Sequence, residues 1–109
     1  MDYTISSLNG TLTVKVSGRI DRGAVISSRS FAQSLIEKGY LNFILDMDGL
    51  EDEREMIYHV ALISSFKNTI EQSGGKFTLL STSDSLKYYL RLSGLGRLFI
   101  ITEKTELIA

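Results

Sequence analysis

The stretch Leu41-Asn42-Phe43-Ile44-Leu45-Asp46-Met47-Asp48-Gly49 sets an apolar segment directly before a polar one. Its first part, Leu41 to Leu45, is short and rich in β-forming residues, which is typical of a strand buried on both faces. The polar residues Asp46 to Gly49 are typical of a turn, so we expect the strand to end at Leu45. In folds whose strands alternate with helices, binding and catalytic sites usually lie at the carboxyl ends of the strands. The loop after Leu45 is therefore the first place to look for a site.

Strand and helix patterns alternate on both sides of this segment. Before it, the pattern predicts strands at Tyr3–Leu8 and Thr11–Ser17 around the hairpin signal Asn9-Gly10, and a helix at Ala24–Lys38. After it, the pattern predicts helices at Glu53–Gln72 and Ser83–Leu92, strands at Phe77–Leu80 and Leu98–Ile101, and a short helix within Thr102–Ile108. The order ββαβαβαβ(α) indicates an α/β fold, with a mostly parallel central sheet of about five strands and helices packed against it.

Composition narrows the class of protein. The chain has 109 residues, 43% hydrophobic and 23% charged, which fits a single domain over residues 1–109. A net charge of -1 argues against nucleic acid, and no apolar run approaches the roughly 20 residues that a membrane helix needs. The absence of cysteine excludes disulfides and thiol chemistry and favours a cytoplasmic location.

Neither catalysis nor a cofactor is predicted. The chain has a single histidine, His59, and no serine lies in a nucleophile elbow, so no hydrolase triad can be assembled. The acid-rich stretch from Asp46 to Glu55 suggests a metal at first sight. It fails the calcium-loop pattern, because Leu50 and Glu51 stand where a ligand and a glycine are required. We therefore expect no metal site.

Four segments together resemble the STAS family, the fold of the anti-sigma factor antagonists. They are Ser17-Gly18-Arg19-Ile20-Asp21, Leu45-Asp46-Met47-Asp48-Gly49-Leu50-Glu51, Ser73-Gly74-Gly75, and Leu90-Arg91-Leu92-Ser93-Gly94-Leu95-Gly96-Arg97-Leu98-Phe99. Their order and spacing extend over nearly the whole chain. The resemblance implies a STAS-like fold and a non-enzymatic, protein-binding role in bacterial transcription regulation.

The resemblance also implies a partner switch. In such a switch, the unphosphorylated domain captures a kinase-type anti-sigma factor, and phosphorylation of a serine at the start of the second long helix releases it. Counted without a gap from Leu45-Asp46, the family's Asp-Ser-Ser-Gly-like motif falls on Arg54-Glu55-Met56-Ile57. The phosphosite equivalent is therefore Glu55, which cannot accept a phosphoryl group as a stable ester.

Two interpretations of Glu55 remain open. A carboxylate near a helix N-terminus resembles a phosphoserine in the sign of its charge and exploits the same helix dipole. Alternatively, Asp52-Glu53-Arg54-Glu55 has the form of a capping box, with Asp52 as the N-cap and Glu55 bonding back to it. The two roles are compatible with each other.

The helix that begins near Glu53 is the predicted binding surface. One apolar stripe, consisting of Met56, Ile63, Phe66 and Ile70, covers the sheet. Beyond it lie Ile57, Tyr58, Ala61 and Leu62, which either face a partner or a second copy of the chain or are buried against the first or third helix. We expect a protein partner to bind the exposed start of this helix, which consists of Arg54, Glu55, Met56, Ile57, Tyr58 and His59. By resemblance, Asp21, Asp46, Asp48 and Asp52 support the switch loop, but turn and cap duties are the preferred explanation of Asp21 and Asp46.

Other functions fit the same sequence. A degenerate STAS subunit would serve only in assembly, with itself as a homodimer or within a larger complex such as a lipid-trafficking transporter. A small-ligand module is the other alternative, since some STAS domains bind nucleotides, but no phosphate-binding glycine loop supports it here. A stable complex insensitive to ATP, or a saturable nucleotide titration, would distinguish these alternatives from a switch.

Overall fold

The computed structural model describes residues 1–50, 56–81, 83–94 and 100–101. In chain order its elements are β1 (Asp2–Leu8), β2 (Thr11–Gly18), α1 (Arg22–Glu37), β3 (Asn42–Leu50), α2 (Met56–Gln72), β4 (Lys76–Leu80), α3 (Asp84–Leu92) and β5 (Ile100–Ile101). This order confirms the predicted α/β class. The predicted terminal helix, the start of the last strand at 98–99 and the start of the second helix at 53–55 lie outside the described residues.

The strands form one sheet in the order β1-β2-β3-β4-β5. Only β1 runs antiparallel to its neighbour, and the remaining pairs are parallel, each joined by a helix. The hairpin between β1 and β2 turns at Asn9 and Gly10, whose φ angles are 52° and 82°. Positive φ at both central residues is the requirement of a type I′ turn, and Asn-Gly meets it at low cost.

The hydrophobic core lies between the sheet and the helices. Along β2, Leu12, Val14 and Val16 are buried, and they alternate with half-buried side chains on the other face. The α2 residues Phe66 and Ile70 belong to the same buried cluster. None of the helices in the described part of the chain is long and apolar enough to cross a membrane.

A hydrogen bond between serines joins the two long helices. Ser28 of α1 is fully buried, and its hydroxyl lies 2.8 Å from the hydroxyl of Ser65 on α2. Its oxygen also lies 2.6 Å from the carbonyl oxygen of Val25, one turn earlier in α1. Buried hydroxyls need such partners, because an unpaired polar group away from water is costly.

The third strand runs further than the sequence predicts. The prediction that it ends at Leu45 is wrong, since β3 continues to Leu50 through the residues Asp46 to Gly49 that we expect to form a turn. Pairing with β2 resumes where Ser17 aligns with Gly49, and it continues to Gly18 and Leu50. The backbone hydrogen bonds of a neighbouring strand thus override the local turn preference.

A β-bulge takes the place of the predicted turn. Lys15 of β2 pairs with Asp46, and the next aligned pair is Ser17 with Gly49, so β3 holds one extra residue in this interval. The Oδ1 atom of Asp46 accepts a hydrogen bond from the backbone N–H of Asp48 at 3.0 Å. This is the contact of an Asx turn. The aspartate therefore forms the turn that the sequence predicts, but this turn lies within strand β3 and does not end it.

Candidate functional site

A cavity of about 270 Å³ lies at the carboxyl end of β3. Three elements line it, namely the end of β3, the first turns of α2 and the start of α3. The lining residues described are Met47, Asp48, Leu50, Met56, His59, Ser83 and Leu86. The cavity thus lies at the strand end where sequence reasoning looks for a site, although β3 itself extends into the lining.

The first turn of α2 buries two residues that we expect on its surface. Met56 is 5% exposed and His59 is 3% exposed, so the prediction that both lie at an exposed helix start is wrong. The reason is helical spacing. Met56, His59 and Ile63 recur at i, i+3 and i+7, which places the imidazole on the buried face between two apolar side chains. His59 therefore lines the cavity rather than the outer surface.

The outer side of α2 carries an exposed apolar residue. Ile57 is 76% exposed, and Tyr58 and Ala61 are half-buried. Leu62 is fully buried, so of the two predictions for the residues beyond the stripe, burial within the fold applies to it. The predicted stripe itself is confirmed, since Met56, Ile63, Phe66 and Ile70 are all buried.

The start of α3 supplies the third wall of the cavity. Ser83 is the N-cap of α3, and its Oγ accepts a hydrogen bond from the backbone N–H of Leu86 at 3.1 Å. The backbone N–H of Ser83 in turn donates to Oγ of Ser81, which is buried. These bonds fix the Ser83 hydroxyl at the cavity wall, because a capping side chain is held by the helix that it begins.

The predicted support residues have identifiable local roles. Asp21 is the N-cap of α1, where its Oδ1 accepts from the backbone N–H of Ala24 at 2.8 Å. Asp46 is 6% exposed and holds the bulge through Asp48, which lines the cavity. Both are turn or cap duties, which the sequence gives as one explanation of these residues. Their part in a switch remains a prediction.

The centre of the predicted switch lies outside the described residues. Asp52, Arg54 and Glu55 all belong to the interval 51–55. The choice between a helix cap and a permanent charge at Glu55 therefore stays a prediction. What the structure does place is the continuation of that segment, with Met56 in the cavity lining and Ile57 exposed on the outer side of α2.

The chemistry of the cavity is mixed. Asp48, His59 and Ser83 offer a carboxylate, an imidazole and a hydroxyl, whereas methionine and leucine side chains form the rest of the described lining. A carboxylate disfavours an anionic group such as a phosphate by like-charge repulsion. Within the described ranges, no group of three or more His, Cys, Asp or Glu residues is placed to hold a metal ion. Polar groups beside apolar walls fit a protein side chain with an apolar stem and a hydrogen-bonding end.

Sequence reasoning missed part of this lining. Met47 and Leu50 come from β3 and Leu86 comes from α3, and only the fold brings these elements together. Ser83 had a readable signal, because it precedes the α3 helix in the position favoured by capping serines. That signal predicts a cap and carries no information about a cavity.

Comparison with known proteins identifies the family. The family model described as the STAS domain matches residues 3–107 of the chain. Comparison with the curated proteins gave no match. The chain belongs to the STAS domain family, whose fold agrees with the α/β sheet and the helix order described above.

Solved structures support the same fold at low sequence identity. An anti-sigma factor antagonist from Mycobacterium paratuberculosis is 15% identical with a TM-score of 0.72, and the match covers 98% of this chain and 90% of that one. SpoIIAA of Bacillus, solved in its phosphorylated form, is 20% identical with a TM-score of 0.67, covering 98% and 97%. A serine-to-glutamate variant of RsbS from Moorella thermoacetica is 17% identical with a TM-score of 0.68, covering 96% and 90%.

Proposed function

We propose that this chain is a regulatory, non-catalytic STAS domain that acts by partner switching in the bacterial cytoplasm. Its partner is a kinase-type anti-sigma factor, and it binds through the start of α2. One observation carries the proposal: Ile57, on the first turn of α2, leaves 76% of its surface exposed to water. The family match over residues 3–107 supports treating residues 1–109 as one such domain.

The surface around Ile57 has the composition of a binding centre. Burying an isoleucine side chain contributes roughly 1.5–3 kcal/mol, so its exposure is a cost that a partner removes. Tyr58, half-buried beside it, adds an aromatic ring of the kind that dominates interface energetics. The cavity, to which Met56 of the same helix turn contributes, also has polar groups at Asp48 and Ser83 in its lining. An exposed apolar anchor on the helix turn that also contributes to a partly polar recess supports an interaction hot spot at the start of α2.

Glu55 sets the state of the proposed switch. In the sequence, Glu55 immediately precedes Met56, the first described residue of α2. By resemblance, the position of Glu55 is that of the family's phosphorylatable serine. Two solved relatives support this assignment: SpoIIAA has been solved phosphorylated, and RsbS has been solved with a serine replaced by glutamate. We infer that the Glu55 carboxylate holds this domain in the low-affinity state, with Asp52 and Arg54 flanking it in the same segment.

The experiment compares capture by the wild type and by the Glu55→Ser variant. Each is used as bait in a lysate of the source cells, and the captured kinase-type protein is then purified and titrated directly. We expect the serine variant to bind it more tightly and to lose that affinity when ATP allows phosphorylation. Equal affinities would contradict the role of Glu55. A stoichiometric complex with another protein, insensitive to ATP, would instead support the assembly function.

A matched pair of variants tests the surface. Ile57→Asp on α2 and Ile26→Asp on α1 both replace a highly exposed isoleucine, with 76% and 69% exposure in the wild type. We expect only Ile57→Asp to abolish capture by the Glu55→Ser bait. Both variants should keep the melting temperature, because neither side chain is packed in the core. Retained binding by Ile57→Asp would place the interface elsewhere.

A further inference from the structure

The strand β1 forms a free edge of the sheet. It pairs with β2 on one side, and in the part of the chain that the structure describes no strand pairs with its other side. Every β1 residue except Tyr3 is exposed, and Ile5 and Leu8 are 45% and 67% exposed. The outer edge of β1 is thus open to another chain.

This edge lacks the devices that usually prevent pairing. Natural edge strands carry proline, lysine, bulges or very short lengths that stop another strand from adding to them. The strand Asp2–Leu8 has seven residues in unbroken register with β2, without proline or lysine. Its one charged residue, Asp2, lies at the end of the strand. An unprotected, regular edge is a template for strand addition.

The backbone groups that point outward follow from the hairpin. A two-residue turn makes its flanking residues, Leu8 and Thr11, a hydrogen-bonded pair, and such pairs alternate along an antiparallel ladder. The N–H and C=O groups of Leu8 and of every second residue before it therefore face β2. Those of Tyr3, Ile5 and Ser7 face away from it, toward the open edge.

We propose that a second copy of this chain pairs with β1, antiparallel and about a two-fold axis at Ile5. In that register Ile5 lies opposite Ile5 of the partner subunit, and Tyr3 lies opposite Ser7 of the partner subunit. All three outward-facing residues of each copy then lie in hydrogen-bonded pairs, and the two sheets become continuous. A shift of the register in either direction leaves some of these groups without a partner.

Side chains and charges in this register are self-complementary. On the face that carries Tyr3, the two Ile5 side chains meet at the axis, and cross-strand apolar pairs stabilise a sheet. On the other face, Asp2 lies opposite Leu8 of the partner subunit, so no carboxylate faces a carboxylate. These two features favour a second copy over an unrelated peptide. The start of α2 lies at the end of β3, two strands away in the sheet order, so the dimer leaves the proposed partner surface free.

Charge variants at the axis test the register. Ile5→Lys places two ammonium groups opposite each other, and Ile5→Glu places two carboxylates there. We expect each variant alone to weaken self-association by roughly tenfold or more, and an equimolar mixture to restore it as a heterodimer. Sedimentation over a range of concentrations gives the dissociation constants. The control Ser6→Lys places the same charge on the other face, opposite Thr4 of the partner subunit, and should weaken self-association much less than Ile5→Lys because no like charge faces it.

Hydrogen exchange supplies an independent measurement on the unmodified protein. The amides of Tyr3, Ile5 and Ser7 should become protected as concentration rises, whereas those of Thr4 and Ser6, bonded to β2, should be protected at every concentration. A wild type that sediments as a monomer at the highest attainable concentration would overturn the proposal. So would a mixture of the two Ile5 variants that stays monomeric.

Discussion

The ring of Tyr3 on β1 stacks on Phe31 of α1, with 4.0 Å between the ring centroids and 9° between the ring planes. Phe66 of α2 meets the pair edge-on, 6.0 Å from Tyr3. This cluster ties the edge strand to both long helices. Within the described residues, the Tyr3 hydroxyl is buried and has no hydrogen-bond partner. Burial raises the pKa of Tyr3 to about 12.

Replacing Tyr3 with phenylalanine should raise the stability of the fold. The substitution keeps the stacked ring and removes a buried hydroxyl without a partner, a group whose burial costs about 1–3 kcal/mol. We expect a gain of about 1 kcal/mol in the free energy of unfolding, measured in urea at neutral pH. The control Tyr88→Phe changes an exposed ring on α3 and should have no effect. A loss of stability in Tyr3→Phe would show that the hydroxyl has a partner after all.

The Tyr3 hydroxyl should also make the free energy of unfolding depend on pH in the alkaline range. Because the folded pKa of Tyr3 is raised to about 12 from 10.0, the unfolded chain releases this proton first as the pH rises. The contribution of Tyr3 is therefore complete below pH 10 and is lost as the pH rises toward 12. Tyr3→Phe should flatten this alkaline decline in unfolding free energy. An identical decline in both proteins would contradict the assigned pKa.

A close backbone approach should make Gly75 intolerant of any side chain. A Cβ atom at Gly75 would lie 2.7 Å from the carbonyl oxygen of Leu41 and 2.9 Å from Cγ2 of Ile70. That carbonyl already accepts a hydrogen bond from the backbone N–H of Lys76 at 2.7 Å, so it cannot move away freely. We expect Gly75→Ala to destabilise the fold by about 1–3 kcal/mol in thermal or urea unfolding.

Substitutions at the neighbouring Gly74 distinguish the effect of a steric clash from that of backbone strain. Gly74 has φ 83° and open space around its Cα, so Gly74→Ala adds only the cost of a left-handed alanine, roughly 1–2 kcal/mol. Gly74→Asn should recover part of that cost, since asparagine tolerates this conformation. No asparagine rescue is expected at Gly75. If Gly75→Asn were more stable than Gly75→Ala, backbone strain and not steric contact would explain why Gly75 does not tolerate a side chain.

The N-cap of α1 should contribute measurably to stability. Asp21 is exposed, and its Oδ1 accepts from the backbone N–H of Ala24 at 2.8 Å. Asp21→Ala should cost about 1 kcal/mol of unfolding free energy, whereas Asp21→Asn keeps the acceptor and should cost only a few tenths. If Asn were as damaging as Ala, the negative charge would matter more than the hydrogen bond. Salt dependence of the loss would then confirm that electrostatic origin.

The sequence predicts the architecture well because its signals are local and repeated. Two examples are the Asn9-Gly10 turn and the apolar stripe of α2, whose signals each lie within a short stretch of sequence. The stripe consists of Met56, Ile63, Phe66 and Ile70. The errors fall where a distant partner decides the outcome. Strand β3 continues past Leu45 because β2 lies beside it, and His59 is buried because α2 packs its side against neighbouring elements. The cavity has no local signal at all, since its lining converges only in the fold.

The bulge at the end of β3 should depend on the acceptor atom of Asp46 more than on its charge. Asp46 is nearly buried, and its Oδ1 accepts the backbone N–H of Asp48, which lines the cavity. Asp46→Ala removes that acceptor, and we expect a loss of about 1–3 kcal/mol in unfolding free energy. Asp46→Asn keeps an oxygen in the same place and should retain most of the stability.

The affinity for the partner should fall in the same order as the stability, from wild type to Asp46→Asn to Asp46→Ala. The reason is that the bulge sets the position of Asp48 at the cavity wall. In the Glu55→Ser background, Asp46→Asn should bind the captured partner almost as tightly as the aspartate form, and Asp46→Ala should bind it several-fold more weakly. Titrations at a temperature where both variants are folded separate this effect from unfolding. If Asp46→Asn lost binding while keeping its stability, the carboxylate itself would be part of the interface, and Asp46 would act on the partner directly instead of through the bulge.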